Sequence, residues 1–124
     1  LEKDRPGDAE FDVPAALRQV LRDRPDRSRN RFADPKLKDI PIDFLSTVDT
    51  TGGNSGSAVL DRQGRLCGLL FDGTYESVAS DLLYDPVSTR SIQVDSRYLL
   101  WYLSEVARAK ALLAEAGVEK GASP

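Results

Sequence analysis

Histidine and methionine are both missing from the 124 residues, and the chain has one cysteine and one tryptophan. Without histidine, no Ser-His or Cys-His catalytic pair and no imidazole-ligated metal site can form within this chain. The lone Cys67 excludes an internal disulfide framework and any multi-thiolate zinc site. No metal or cofactor motif is present. No stretch approaches the roughly 18 apolar residues of a membrane span, and nothing resembles a signal peptide. Charge of one sign is also lacking. Seventeen basic against twenty acidic residues leave a net charge of −3, which gives no general attraction to nucleic acid or anionic lipid. A chain that opens on Leu1 and holds no methionine reads as a piece or a processed form of something longer.

The rest is ordinary for a globular protein. Hydrophobic residues make up 40% and charged residues 30%, and the length suits one domain with a real core. The basic residues gather early, with Arg22, Arg24, Arg27, Arg29 and Arg31 interrupted by Asp23, Pro25 and Asp26. No aromatics are interleaved, so this stretch reads as a solvated loop rather than a phosphate-binding arm. Before it, Asp12 is placed to cap a short helix opening at Pro14, with Leu17, Val20 and Leu21 on one face and Pro25 ending it. Residues 1–39 are therefore a helix and a charged lead-in loop.

From residue 40 the pattern changes. Residues 40–48 are strand-like. Then come Ala58-Val59-Leu60 and Leu66-Cys67-Gly68-Leu69-Leu70-Phe71, joined by a turn in which Gly64 supplies positive φ for a β-hairpin. A loop over residues 73–89 leads to a strand at residues 90–94. Asp95 then caps a helix running to Gly117, with Leu99, Tyr102, Leu103, Val106 and Leu113 along one side, and residues 118–124 form a frayed tail. Cys67, mid-strand among apolar neighbours, reads as a buried inert thiol. Trp101 and Tyr102 read as packing residues.

Between the first two strand regions lies Thr50-Thr51-Gly52-Gly53-Asn54-Ser55-Gly56-Ser57, too rich in glycine for helix or regular strand. Two readings of it stand side by side. The glycines make a tight turn with Ser55 as a turn residue, or they build a nucleophile loop. In the second, Ser55 attacks a substrate carbonyl, and the amides of Gly53 and Ser55 receive the developing negative charge. An α/β-hydrolase elbow requires Gly-x-Ser-x-Gly leading into a helix; here Ser57 replaces the last glycine and strand signals follow. The context suits the trypsin-like double β-barrel, whose histidine and aspartate precede the nucleophile in the chain. The fold class is then mainly β with flanking helices, the second half of such a double barrel plus a C-terminal helix.

Taken in order, Phe44-Leu45-Ser46-Thr47, Gly53-Asn54-Ser55-Gly56, Gly68-Leu69-Leu70-Phe71-Asp72-Gly73, Ser80-Asp81, Thr89-Arg90-Ser91-Ile92, Val94-Asp95 and Arg97-Tyr98-Leu99-Leu100-Trp101 resemble the C-terminal end of the S46 family of bacterial serine dipeptidyl-peptidases. Phe11-Asp12-Val13-Pro14 extends the likeness towards the start. The resemblance implies a long parent chain with a double barrel, a helical cap, and a catalytic His and Asp supplied by its upstream part. Residues 40–98 would be the nucleophile-bearing half-barrel, and residues 95–117 a C-terminal helix packed on it. It implies removal of dipeptides from peptides with a free N-terminus, by a homodimer in the periplasm or at the cell surface, with no cofactor. Carried over by position, Ser55 is the nucleophile, Gly53 an oxyanion-hole amide, and Asp72 the carboxylate for the substrate α-ammonium. Gly73 stands at the position where arginine accompanies acidic P1 side chains and glycine apolar or broader ones. Thr74 completes the substrate-binding set. Ala58 stands where the family has proline, and Thr74-Tyr75 where it has Asn-Trp. The isolated chain, lacking a general base, is expected to be inactive.

Asp72 also makes sense without the family. An exopeptidase must tell a free amine from a continuing chain, and a carboxylate beside the nucleophile does so by pairing with the ammonium. The other readings are the second half of a different trypsin-like endopeptidase, with no such use for Asp72, and a non-catalytic half-barrel serving as an interaction module.

Overall fold

The computed structural model describes residues 3–80 and 82–118. Leu1, Asp81 and the greater part of the expected tail, residues 119–124, lie outside the described residues. The chain divides into two compact units, one formed by Leu1–Ile40 with Leu100–Pro124 and the other by Pro41–Leu99.

The first unit is built on helix α1, Ala15–Asp23. Its sequence of alanine, leucine, arginine and glutamine favours helix, and it stops short of Pro25, which disfavours helical backbone in the residue before it. Leu17, Val20 and Leu21 are its half-buried apolar positions, as their spacing requires. The expected Asp12 cap is not made. Pro14 is the N-cap residue and no side chain caps the helix. Asp12 instead accepts from the Gly7 N–H at 3.0 Å and from Arg18 at 2.9 Å. Arg18 also forms two bonds of 2.8 Å to Asp4, whose carboxyl that pairing holds below its usual range. Helix dipole and cap thus yield to a two-carboxylate clamp on one guanidinium. Two arginines of the basic stretch are likewise committed to acids: Arg24 to Glu105 at 2.6 Å, and Arg27 to both oxygens of Asp39 at 2.7 Å. Phe32, Ile40, Trp101 and Val106 are the buried apolar residues of this unit.

The second unit carries a four-stranded antiparallel sheet in the order β1-β4-β3-β2. Strand β1 is Asp43–Ser46, β2 is Ala58–Leu60, β3 is Leu66–Gly73 and β4 is Ser91–Asp95. The first strand is shorter than residues 40–48 predicted, because beyond Ser46 the chain leaves the β4 ladder. The β2–β3 turn forms as read, with Gly64 at φ +75° and Asp61 closing it. The Asp61 carboxylate accepts from the N–H groups of Gln63 and Arg65 at 2.8 and 3.0 Å. The sheet's buried side is largely polar. Leu70 is its buried aliphatic, beside Thr89, Ser91, Gln93 and Asp95. Cys67 is half-buried rather than buried, since it points to the opposite face from Gly68 and Leu70.

After β4, Asp95 caps α2, Ser96–Trp101, through a 2.8 Å bond from the Arg97 N–H. The continuous helix expected to Gly117 is not formed. One π-turn spans Tyr102–Val106, Arg108 takes φ +51°, and α3 restarts at Lys110–Glu115. No proline or glycine marks this break in the sequence; a left-handed arginine ends the first segment as a glycine would. Gly117 does terminate α3, with Val118 N–H bonding Leu113 O and Gly117 N–H bonding Ala114 O, the paired bonds of a Schellman stop.

Candidate functional site

The Ser55 loop is a tight, internally bonded turn fastened at both ends. Asn54 N–H donates to Thr51 O at 3.2 Å while the Asn54 side chain accepts from Thr51 N–H at 2.9 Å. Ser57 N–H returns to Asn54 O at 3.0 Å. Gly53 and Gly56 take φ +98° and +85°, values that a side chain would strain. On the far side, Gly56 N–H donates to Leu70 O at 2.7 Å and Leu70 N–H to Ser57 O at 3.0 Å, tying the loop to β3. On the near side, Tyr84 Oη donates to Thr47 O at 2.7 Å and Ser91 Oγ to Val48 O at 2.8 Å.

These bonds commit the amides of Thr51, Asn54, Gly56 and Ser57. The amides of Gly53 and Ser55, the two singled out from the sequence, take no acceptor among the described residues. Ser55 itself is exposed.

A bulge in β3 determines where Asp72 goes. Leu70 lies across from Gln93, and Asp72 lies across from Ile92, the next residue of β4. Two residues of β3 therefore occupy the space of one, and the in–out alternation reverses. Asp72 leaves the buried face of Leu70 and is exposed, its Oδ1 accepting from the Gly73 N–H at 2.8 Å. The result is a cleft of about 240 Å³ whose walls include Ser55, Gly52, Asp72 and Gly73.

Three of the five residues singled out from the sequence, Ser55, Asp72 and Gly73, thus share one cavity. Gly53 adds no wall of its own. Thr74 does not line it either: its Oγ1 accepts from Arg90 N–H at 3.3 Å, and its backbone N–H donates to Arg90 O at 2.9 Å. Its polar groups hold the β3 end against the chain entering β4. Leu70 and Phe71 of β3 also line it, and residues given no site role from the sequence complete the wall: Thr50, Thr51, Ser77, Val78 and Ser80. Ser77 comes from a 3-10 turn, Tyr75–Ala79, inside the stretch read as loop. Five residues without periodicity gave no signal for it. Asp72 is the charged group of the wall, and no lysine or arginine is among its described residues. Among the described residues no group of His, Cys, Asp and Glu could hold a metal ion, and no helix is long and apolar enough to cross a membrane.

Against known proteins, residues 1–118 match the sequence model of the family described as Peptidase S46. An Asp/Glu-specific dipeptidyl-peptidase of Capnocytophaga gingivalis is 45% identical over 115 residues, covering 93% of this chain and 16% of that protein. Dipeptidyl-peptidase 7 of the same organism is 41% identical over 115 residues, again 93% of this chain and 16% of its own length. Among solved structures, Porphyromonas endodontalis DPP11 in complex with the dipeptide Arg-Glu superposes with a TM-score of 0.84 at 34% identity. That match covers 96% of this chain and 16% of the other. The chain thus spans about a sixth of the length of these relatives.

Proposed function

The chain belongs to the peptidase S46 family, and on that premise we propose that it is the nucleophile-bearing C-terminal part of a serine-type dipeptidyl-peptidase. The observation that carries this reading is the single cleft shared by Ser55 and Asp72. A nucleophile and an amine anchor in one cavity fix how far from the N-terminus cleavage falls. Dipeptidyl-peptidase names among the relatives support it.

In this reading Ser55 Oγ attacks the second peptide carbonyl while its proton passes to a histidine of the upstream chain. That histidine then protonates the departing amine. Water, deprotonated by the same base, releases the dipeptide from the serine ester. The uncommitted N–H groups of Gly53 and Ser55 hold the oxyanion in each half-reaction. Asp72 pairs with the substrate α-ammonium. The upstream part of the polypeptide also completes the double barrel of which this sheet is half. Family likeness extends the proposal to an exported homodimer.

Gly73 and a wall without lysine or arginine among its described residues favour apolar or broad P1 acceptance over the acidic preference named for some relatives. The test is an assay of the full-length protein on fluorogenic dipeptides with free and N-acylated amines. Cleavage confined to free amines supports the reading. Equal cleavage of both returns the site to an endopeptidase, and no cleavage of either leaves a non-catalytic module. The 124-residue segment alone is expected to show no turnover.

A further inference from the structure

Gly73 is glycine for want of space, not for backbone freedom. Its φ lies outside the left-handed region, so an ordinary residue could adopt its backbone. A Cβ placed there would lie 2.2 Å from Ser77 Oγ, 3.1 Å from Ser77 Cβ and 3.6 Å from Arg90 O. Gly68 makes the contrast. A Cβ at that position would meet the Val94 carbonyl at 2.5 Å and the Phe44 ring at 2.9 Å, so fixed backbone forbids it. At position 73 the obstacle is one side chain. Ser77 is held there by its own bonds: Oγ donates to Thr74 O at 2.6 Å, and Ser77 N–H donates to the same oxygen at 2.8 Å. Both Gly73 and Ser77 line the cleft that holds Ser55 and Asp72.

We propose that Ser77 is a specificity-determining residue and that positions 73 and 77 form one steric pair, deciding together which substrate side chains the cleft admits. The inference rests on the dipeptidyl-peptidase reading. With its proton committed to Thr74 O, the Ser77 hydroxyl presents lone pairs to the cleft. A substrate side chain reaching it finds an acceptor, which repels carboxylates and tolerates neutral groups. A longer side chain at position 73 can enter only if Ser77 rotates away, losing the Thr74 bond, or is shortened.

The test uses the full-length protein and compares Gly73→Arg, Ser77→Ala and the double variant on free-amine dipeptides with Leu, Phe, Asp or Glu at P1. Gly73→Arg alone should lower kcat/KM about tenfold for every P1 residue, without acidic preference, as overpacking of a fitted site does. Adding Ser77→Ala removes the atom at 2.2 Å, and the double variant should then gain Asp and Glu cleavage over the single by about tenfold. A second readout needs no activity. Gly73→Ala should lower the unfolding midpoint, and Ser77→Ala on top of it should restore most of the loss. If Gly73→Arg alone is active and acid-selective, or the Ala cycle is additive, the pairing is wrong even where the parent is a good dipeptidyl-peptidase. If the parent ignores free-amine dipeptides, the peptidase reading fails and the specificity role with it, while the stability cycle still reports whether the two positions are coupled.

Discussion

The hydroxyl oxygens of Ser91 and Thr50 lie 2.5 Å apart, joining the start of β4 to the start of the Ser55 loop. Ser91 is 1% exposed and donates its one proton to Val48 O, so Thr50 is the donor in the bond between them. Gln93, fully buried two residues on, meets Ser46 Oγ at 2.9 Å through its side-chain amide. The loop that carries the candidate nucleophile is thus held from beneath by a short polar chain rather than by apolar packing.

Ser91→Ala in the full-length protein should strand the Val48 carbonyl and the Thr50 hydroxyl, at a cost of about 1–3 kcal/mol. Chemical unfolding of the parent, Ser91→Ala, Thr50→Val and the double variant measures it. The two single losses should sum to more than the double, because each removes the same bond. Strict additivity would mean the pair does not couple.

Ser55→Ala should abolish turnover and leave the unfolding midpoint unchanged. The side chain is exposed, and surface substitutions of this kind stay within about 0.5 kcal/mol. Circular dichroism beside the dipeptide assay decides it. Residual activity near the parent's would restore the turn-residue reading of Ser55.

Asp72→Asn keeps the shape of the side chain and removes its charge. Free-amine dipeptides should lose about ten- to a hundredfold in kcat/KM, the worth of a charge-assisted bond of about 1.5–3 kcal/mol. N-acylated substrates, already poor, should be little changed. A uniform loss on both would point to the Gly73 N–H contact, and hence to the local backbone, instead of the substrate amine.

The turn at Asp61 gives a pH signature. The Arg65 backbone N–H, then the Arg65 side chain and the Gln63 N–H, hold the Asp61 carboxyl below its ordinary 3.8. A carboxylate depressed in the folded state adds stability that is complete above its unfolded value and disappears as pH falls through the folded one. The thermal-midpoint gap between the parent and Asp61→Ala should therefore be full at about pH 7 and shrink as the pH is taken down past the ordinary carboxylate value. It should not change between about pH 5 and pH 8, where Asp61 stays ionised in both states. Asp39, depressed chiefly by the Arg27 side chain, follows the same sign.

Local chemistry made several features legible in the sequence. Short apolar runs and the turn residues between them located β2 and β3, because a glycine with positive φ between two such runs leaves little choice but a hairpin. The Asp95 cap and the Gly117 stop were readable because helix ends satisfy their orphan groups from residues adjacent in sequence. Histidine's absence alone meant that no Ser-His pair can form within this chain. Tertiary structure decided the rest. The bulge at Phe71 turns Asp72 off the face that an unbroken ladder would give it, and only pairing with β4 reveals that slip. Arg18 draws Asp12 from the helix end into a clamp shared with Asp4, which lies fourteen positions from Arg18 and so beyond local sequence patterns. Arg108 broke a helix that no residue type announced. Ser77 came to stand over Gly73 through a 3-10 turn whose five residues carry no period, and a contact made by shape alone has no signature in sequence.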